Sequence, residues 1–385
     1  MTATPESQIL QANASFALNL YEILSRKKGN IFFSPLSVHA VLSMLYQGAQ
    51  GETAQALAHA LKNPDVKSTA EGYRDVIAHL GSLKDVTLLT ANKIYGNQAK
   101  SKFLKAFEDC VVKNFGSEIE LLDLGEPKGA ARIVNKWVED KTREKIKNIV
   151  NEALFNNKNL SLVLINAIYF KGDWLSTFKE QSTKKDKFYL EDKTAIEVEM
   201  MHQKEHFYYK DDQELGAQII EMPYKGSTVK MMIILPKDGI GKLEEKLPKT
   251  DLKKLTDGLK RTELHLFVPK FKMEETIKLN QILIELGLKP IFDMNQADFK
   301  GILDTSSLQD NIFVSEVIQK AFVEVNETGT VAAAATRAAM VLGCAPGAPK
   351  PVIFRVDKPA VFLIVASHGE ERNVLFLGRL SQPEY

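Results

Sequence analysis

Residues that could bind a metal or act as nucleophiles are the first candidates for chemistry. His202-Gln-Lys-Glu-His206 matches the H-x-x-E-H pattern of one class of zinc protease. That pattern needs a helix to bring both imidazoles to one face, whereas the flanking residues alternate as in a strand. The sequence also contains no Gly-x-Ser-x-Gly nucleophile motif. We therefore expect no metal, no cofactor and no catalytic residues, and we predict that the protein is not an enzyme.

The two cysteines offer little further chemistry. Cys110 and Cys344 are too few for a zinc ligand set or a disulfide framework. One bridge between them is possible in principle, but free thiols are the favoured interpretation.

A long segment that another enzyme could cut suggests a different kind of chemistry. Residues 326–351 lie between two strand signals, and loops of more than about 15 residues are usually functional or disordered. The first half is small, apolar and free of proline, whereas the second half contains Pro346, Pro349 and Pro351. The first half can therefore form a strand. The prolines of the second half cannot donate backbone hydrogen bonds, so that half cannot pair fully in a sheet.

As a strand, this stretch would have one face without charge. Arg337, its only charged residue, would lie on the opposite face. Small side chains could enter between existing strands without overpacking them. We therefore predict an exposed loop that can also become a central strand. The residues of the uncharged face are Thr330, Ala332, Ala334, Thr336, Ala338, Met340 and Leu342.

The predicted elements are mostly helices in the first half of the chain and mostly strands in its second half. This order indicates an α+β fold, and the scattering of the strands indicates one large domain over residues 1–385. Helical patterns cover residues 7–25, 35–48, 52–61, 71–80, 101–115 and 128–144. Strand patterns cover residues 160–170, 229–235, 264–268, 313–325, 352–356, 361–365 and 374–377.

Composition excludes several classes of partner. Fifty Lys and Arg against forty-nine Asp and Glu leave a net charge of +1, which argues against nucleic acid as a general partner. The longest apolar run near the C-terminus, residues 359–366, is far shorter than the roughly 18 residues of a membrane span. The first residues have no signal-peptide pattern. We expect an extracellular protein if a signal peptide has been removed, and a cytoplasmic one otherwise.

Six motifs in the same order along the chain resemble those of the serpins, and the resemblance covers nearly the whole chain. The motifs resemble those of inhibitory serpins, and they are compatible with an invertebrate source. The motifs are Asn30-Ile-Phe-Phe-Ser-Pro-Leu-Ser37, Gly48-Ala-Gln-Gly-Glu-Thr53, Asn166-Ala-Ile-Tyr-Phe-Lys-Gly-Asp-Trp174, Phe322-Val-Glu-Val-Asn-Glu-Thr-Gly-Thr330, Asp357-Lys-Pro-Ala-Val-Phe362 and Leu375-Phe-Leu-Gly-Arg379.

The resemblance implies an α+β serpin fold of three β-sheets and about nine helices. Residues 327–351 would be the exposed reactive-centre loop. The implied function is that of a suicide substrate: a serine endopeptidase cleaves the loop, which inserts as a strand into the main sheet and traps the protease as a covalent acyl-enzyme. The expected partner is thus the target protease, and the protein is expected to be a monomer. Arg74 and His79 alone offer no clear heparin site in the helix at 71–80.

In the family the cleaved bond usually lies sixteen residues after the hinge glutamate. Counting from Glu327 places it at Gly343–Cys344. Glycine suits an elastase-like protease with a small primary pocket, and Leu342 before it suits a papain-like cysteine protease. Leu342 or Met340 as alternative cleavage residues would suit a chymotrypsin-like enzyme.

Two further groups of residues are implied by the resemblance. The first is the hinge, Glu327, Gly329, Thr330, Ala332, Ala333, Ala334 and Ala335. The second is the region where the sheet opens, with Ser34, Ser37, Asn166 and Gln319 as a polar cluster and Trp174 beneath the point where the loop enters.

Two alternatives remain open from the sequence. The first is a cross-class inhibitor of papain-like cysteine proteases. The second is a non-inhibitory serpin that acts as a carrier, chaperone or storage protein. Such proteins usually have bulky, charged or proline residues in the hinge, which this chain does not.

Overall fold

The computed structural model describes residues 3–99, 102–123, 126–157, 159–304, 312–330 and 351–385. The helices are α1 (Pro5–Leu24), α2 (Pro35–Tyr46), α3 (Gly51–Leu61), α4 (Val66–Gly81), α5 (Lys105–Phe115), α6 (Pro127–Lys141), α7 (Ile240–Lys246), α8 (Leu252–Thr256), α9 (Asn280–Leu283) and α10 (Lys289–Phe292). Short 3₁₀ turns are Glu152–Asn156, Glu180–Ser182 and Leu247–Lys249.

The last two helices are parts of one bent segment, joined by the π-turn Ile284–Leu288. Gly287 has a φ of 93° there, which interrupts the helix. Counting this segment once, the described residues contain nine α-helices, as the resemblance implies.

The strands are β1 (Ile31–Phe33), β2 (Val86–Asn97), β3 (Lys102–Phe103), β4 (Glu118–Leu122), β5 (Leu162–Asp173), β6 (Lys184–Tyr189), β7 (Ala195–Asp212), β8 (Ala217–Pro223), β9 (Val229–Pro236), β10 (Lys260–Pro269), β11 (Phe271–Lys278), β12 (Leu303–Asp304), β13 (Val314–Val325), β14 (Gly329–Thr330), β15 (Val352–Arg355), β16 (Ala360–His368) and β17 (Glu371–Leu380).

Within the described residues these strands form three sheets, which confirms the α+β class and the predicted number of sheets. The largest has nine strands in the order β1-β17-β16-β9-β8-β7-β10-β15, with β6 paired to β7. The second has six, in the order β11-β13-β5-β2-β4, with β14 paired to β5. The third is the short pair β12-β3.

The six-stranded sheet is covered on both faces. One face contributes Ile168 and Phe170 of β5 to the main hydrophobic core, which also contains residues of α1, α2 and the nine-stranded sheet. The opposite face contributes Ile165 and Tyr169 of β5 to a second core, beneath Val134 and Val138 of α6. Burial on both faces explains why β5 reads as an almost continuous apolar run.

Several predicted boundaries of helices were wrong, and so was the predicted order of helices first and strands later. The helix predicted from residue 71 begins at Val66, because Asp65 caps it and accepts a hydrogen bond from the Ser68 amide at 3.0 Å. Strands β2 and β4 lie in the half predicted to be helical and complete the sheet around β5. Their pairing with later strands, rather than their own sequence, makes them strands.

The H-x-x-E-H motif lies within β7, as its flanking residues predicted. His202 and His206 are therefore not on a helix, and His202 Nε2 is 3.0 Å from Nδ1 of His265 on β10 instead. None of the helices in the described part of the chain is long and apolar enough to cross a membrane.

His39 is a buried titratable group that ties three helices together. Its Nε2 lies 2.9 Å from the Leu61 carbonyl at the end of α3, and its Nδ1 contacts the Tyr73 hydroxyl of α4. The ring is fully buried in α2, and this desolvation lowers the pKa of His39 to about 4 despite the bond to Leu61. The imidazole is therefore neutral in the folded protein at pH 7.

We predict that His39 makes the fold sensitive to acid. Its pKa is lower in the folded protein than in the unfolded chain, so stability is lost as the pH falls from about 6.5 toward 4. The expected loss at pH 4.5 is about 2–3 kcal/mol. The measurement is the urea unfolding midpoint at pH 7 and pH 4.5 for the wild type and His39→Gln. Equal losses in the two proteins would show that His39 is not responsible.

Candidate functional site

The centre of the six-stranded sheet contains a parallel pair that is only partly closed. Strands β13 and β5 pair from Val314 opposite Leu162 to Phe322 opposite Tyr169. We call this line of pairing the seam. Beyond it both strands continue to their ends without pairing to each other, although all of these residues are described. The sheet is therefore open at one end of the seam.

A two-residue strand lies in this opening. After β13 the chain turns through residues 326–328, and Gly329 and Thr330 then pair antiparallel with Asp173 and Gly172 of β5. Because β13 and β5 are parallel, a strand that follows a tight turn after β13 is antiparallel to both. The beginning of the predicted loop thus already has the direction that an inserted strand needs.

Gly329 is required by the close approach of β14 to β5. Its φ is 145°, a region that L-residues rarely adopt. A Cβ atom at this position would overlap the Gly172 carbonyl oxygen and would lie 2.5 Å from Cα of Asp173. No side chain can be placed there without moving the backbone of β5.

Glu327 is held in the turn from both sides of the opening. Its Oε1 accepts a hydrogen bond from the Thr183 hydroxyl at 2.8 Å, and its Oε2 lies 3.3 Å from Nζ of Lys270. Its carbonyl accepts from the Phe178 amide at 2.8 Å. The side chain is 11% exposed, so this partly buried charge depends on its partners.

Lys270, at the junction of β10 and β11, is the cation of this network. Its Nζ also lies 3.3 Å from Glu199 and 4.3 Å from the centre of the Tyr385 ring. Burial opposes the charge of Lys270, but Glu327 and Glu199 outweigh it, so the pKa of Lys270 is raised. The Tyr385 hydroxyl in turn donates to Glu324 of β13 at 3.0 Å.

Trp174 lies directly beneath the turn. Its Nε1 donates to the Asn326 carbonyl at 3.0 Å, and its amide donates to the Thr328 carbonyl at 2.8 Å. The indole is 1% exposed and stacks on Tyr224 with ring centres 4.5 Å apart. Trp174 thus holds the turn that connects β13 to β14 through two of its carbonyl groups.

A row of buried and half-buried polar side chains crosses the seam lower down. Gln319 of β13 lies opposite Asn166 of β5, which lies opposite Asn92 of β2. Gln319 Nε2 donates to Asn166 Oδ1 at 2.6 Å, and Asn166 Nδ2 donates to Asn92 Oδ1 at 2.5 Å. The amide groups therefore connect three neighbouring strands.

Helix α2 completes this row from below. Gln319 accepts from the Ser34 amide and donates to the Ser34 carbonyl, both at 2.9 Å. The Ser37 hydroxyl donates to Asn92 Oδ1 at 2.9 Å and is in contact with Asn166 Nδ2. Ser34 also caps α2 by accepting from the Ser37 amide at 3.3 Å, with Pro35 as the first helical residue. The cap thus orients both serines toward the seam.

The predicted site residues divide into described and undescribed ones. Those outside the described residues are Ala332, Ala333, Ala334, Ala335, Met340, Leu342, Gly343 and Cys344. The structure brings together all the others, at the opening or at the polar row.

Sequence reasoning missed Asn92, Thr183, Lys270 and Tyr385. No single motif contains them, because each meets the site through a different strand or turn. The sequence offered no signal for Asn92, because its patterns predict no strand at residues 86–97 and the residue is only half-buried.

Comparisons of the whole chain with known proteins find similar sequences. A family model described as "Serpin (serine protease inhibitor)" matches residues 11–383. Iripin-2 of Ixodes ricinus is 36% identical over 99% of this chain and 95% of its own length. The leukocyte elastase inhibitor of Equus caballus is 34% identical over 98% of this chain and 100% of its own length.

Solved structures of similar proteins have the same fold. Serpin48 of the insect Tenebrio molitor superimposes with a TM-score of 0.87 at 31% identity, over 98% of both chains. It is described as a highly specific serpin.

We predict that Lys270→Met weakens the fold through Glu327. The substitution keeps much of the side-chain length but leaves the Glu327 carboxylate without its cation. The expected decrease in the free energy of unfolding is about 2–3 kcal/mol. Urea unfolding measures it, with Lys272→Met on β11 as the control, because Lys272 is exposed. A loss no larger than that of the control would contradict the assigned role.

Proposed function

The chain belongs to the serpin family, and from this premise we propose that it inhibits its target as a suicide substrate. The family is one of protease inhibitors and not of enzymes. The proposed target is a serine endopeptidase. In the first step its serine hydroxyl attacks the carbonyl of Gly343, or alternatively of Leu342 or Met340. The peptide bond breaks, an ester forms, and the hydroxyl proton passes to the leaving amine.

The observation that carries the proposal is the antiparallel pairing of Gly329 and Thr330 with β5. If this register continues, each later loop residue lies opposite the next residue of β5 toward its start. Ala332 would then lie opposite Phe170, Thr336 opposite Asn166 and Met340 opposite Leu162. The strand would fill the seam along its whole length.

The side chains of the loop suit the two faces of this seam. Directly opposite residues in a sheet share a face, so Ala332 and Ala334 would face the main core beside Phe170 and Ile168. Small side chains can enter a core that is already packed. Thr336 would stand between Gln319 and Asn166, where its hydroxyl can replace the hydrogen bond that insertion breaks.

Insertion would release enough energy to act on the protease. The new strand bonds to both neighbours and replaces a single ladder, so about one net hydrogen bond is gained per residue, or on the order of 10 kcal/mol. A strand reaching residue 343 would carry the ester roughly 45 Å at about 3.3 Å per residue. A displacement of about 1 Å of catalytic groups can slow an enzyme about 100-fold, so deacylation would stop.

The alternatives differ in what they require of the loop. A papain-like cysteine protease would use the same insertion, with Leu342 as the residue it recognises. A carrier or storage serpin would not need a loop that inserts, and the run of alanines after Thr330 argues against this alternative. The named relatives include an elastase inhibitor, which supports the serine protease as the first target class to test.

The decisive experiment is incubation with a panel of serine and papain-like cysteine proteases. We expect a denaturant-resistant complex with at least one serine protease, and a released fragment whose mass places the cut at Gly343–Cys344 or within three residues before it. The nicked protein should also melt at a markedly higher temperature than the intact one. Cleavage without complex formation and without a higher melting temperature would refute the proposal.

We predict that Gly329→Ala converts the inhibitor into a substrate. The added Cβ would prevent β14 from pairing with β5, so insertion would start too slowly to trap the ester. The measurement is the number of inhibitor molecules consumed per protease molecule inactivated, which should rise at least severalfold. Gly241→Ala is the matched control, because a Cβ at Gly241 meets no atom within 4 Å. An unchanged ratio would show that this pairing is dispensable.

A further inference from the structure

We propose that Tyr385 is a positioning residue for the open end of the seam. Through its ring and its hydroxyl it holds Lys270 and Glu324 where these two residues fix the turn between β13 and β14. The inference rests on the proposed function, because insertion of a strand requires this end of the seam to yield. All of the residues in these contacts belong to the described part of the chain.

The segment that carries Tyr385 is anchored first at the nine-stranded sheet. We call residues 381–385 the strap. Asn30, directly before β1, accepts on its Oδ1 from the amides of Ser381 and Gln382 at 2.8 and 2.9 Å. Its Nδ2 donates in return to the Gln382 carbonyl at 2.8 Å. Three hydrogen bonds from one side chain thus fix the start of the strap.

The end of the strap lies at the outer edge of the six-stranded sheet. The Lys272 amide on β11 donates to the Glu384 carbonyl at 2.7 Å, so the strap occupies the edge of β11 that faces away from β13. Lys272 lies directly opposite Glu324 on β13. The Tyr385 hydroxyl reaches across β11 and donates to Glu324 at 3.0 Å. One side chain therefore connects the ends of two strands.

The hydroxyl of Tyr385 acts on the turn through Glu324. Glu324 Oε1 also accepts from Asn326 Nδ2 at 3.4 Å. The Asn326 side chain accepts on its Oδ1 from the Thr328 amide at 3.2 Å, and its carbonyl accepts from Trp174 Nε1 at 3.0 Å. A hydrogen bond to a charged carboxylate is stronger than one between neutral groups. The hydroxyl thus fixes the carboxylate that orients Asn326 in the turn.

The ring of Tyr385 acts on the turn through Lys270. Nζ of Lys270 lies 4.3 Å from the ring centre, a distance at which an aromatic face attracts a cation, and 3.3 Å from Glu327. Tyr385 is 61% exposed, whereas the Lys270 side chain is 14% exposed. The tyrosine thus shields the ammonium group from water. This shielding strengthens the attraction between Lys270 and Glu327, because charges interact more strongly away from solvent.

Two protons report separately on these two contacts. The Phe178 amide donates to the Glu327 carbonyl at 2.8 Å, so its exchange with solvent follows the ring contact. The Nε1 proton of Trp174 is bonded to the Asn326 carbonyl, so its exchange follows the hydroxyl contact. A bonded proton exchanges only when its local structure opens, so both rates measure how readily the turn yields.

The test is hydrogen exchange, followed by NMR, in the full chain with Tyr385→Leu and with Tyr385→Phe. The leucine removes both contacts and should accelerate exchange of both protons about threefold, the size of one exposed cation–π contact or one hydrogen bond. The phenylalanine keeps the ring and should accelerate exchange of the Trp174 proton only. Because Tyr385 is exposed, neither substitution leaves a cavity in the core. Unchanged exchange in the leucine variant would overturn the proposal.

Two comparisons separate positioning from a general effect on stability. Tyr189→Leu replaces another exposed tyrosine, at the end of β6, and should leave both protons unchanged. In a Lys270→Met background, Tyr385→Leu should no longer affect the Phe178 amide, because the cation beside the ring is gone. Equal acceleration with and without Lys270 would overturn the positioning role.

The exchange measurement and the protease panel fail independently. A wild-type protein that forms no complex with any protease would overturn the proposed function. Exchange of the two protons would still decide whether Tyr385 holds the turn, because it is measured on the intact protein without a protease.

Discussion

The rest of this structure depends on the parallel pairing of β13 and β5 at the centre of the six-stranded sheet. Between β13 and β5 one ladder of hydrogen bonds closes the seam as far as Phe322 opposite Tyr169, and beyond it the two strands do not pair with each other. The chain that leaves β13 turns at once and begins such a strand with Gly329 and Thr330. The folded protein thus has a parallel pair that is closed along the seam and an antiparallel strand that begins at its open end.

The polar row and the turn keep the sheet in this state. The bond between Gln319 and Asn166 crosses the seam, and both amides are anchored on Ser34 and Ser37 of α2. At the open end Glu327 and Trp174 fix the turn. Hydrogen bonds and partly buried charges suit this purpose, because they depend strongly on geometry and are lost over a small displacement. Apolar contacts alone would let the strands slide more gradually.

Charged groups also attach helix α6 to the outer face of the six-stranded sheet. Glu118 of β4 pairs with Lys93 of β2 at 3.2 Å and with Lys141 of α6 at 2.5 Å. Burial opposes the charge of Glu118, but these two ammonium groups and Trp137 hold its pKa at about 2. Across the seam, Nζ of Lys320 donates to the Lys147 carbonyl after α6 at 2.7 Å. Lys320 thus ties β13 to the chain that follows α6.

The sequence by itself determined the α+β class and the family, because these depend on local patterns and on motifs that are contiguous in the chain. It also predicted Ser34, Ser37, Asn166, Gln319 and Trp174 as site residues, each within or near such a motif. Only the tertiary structure decided which residues complete the site. Asn92, Lys270 and Tyr385 reach it from distant strands, and their relevance depends on register. Register and the twist between strands decide these contacts, and neither is a property of a single segment.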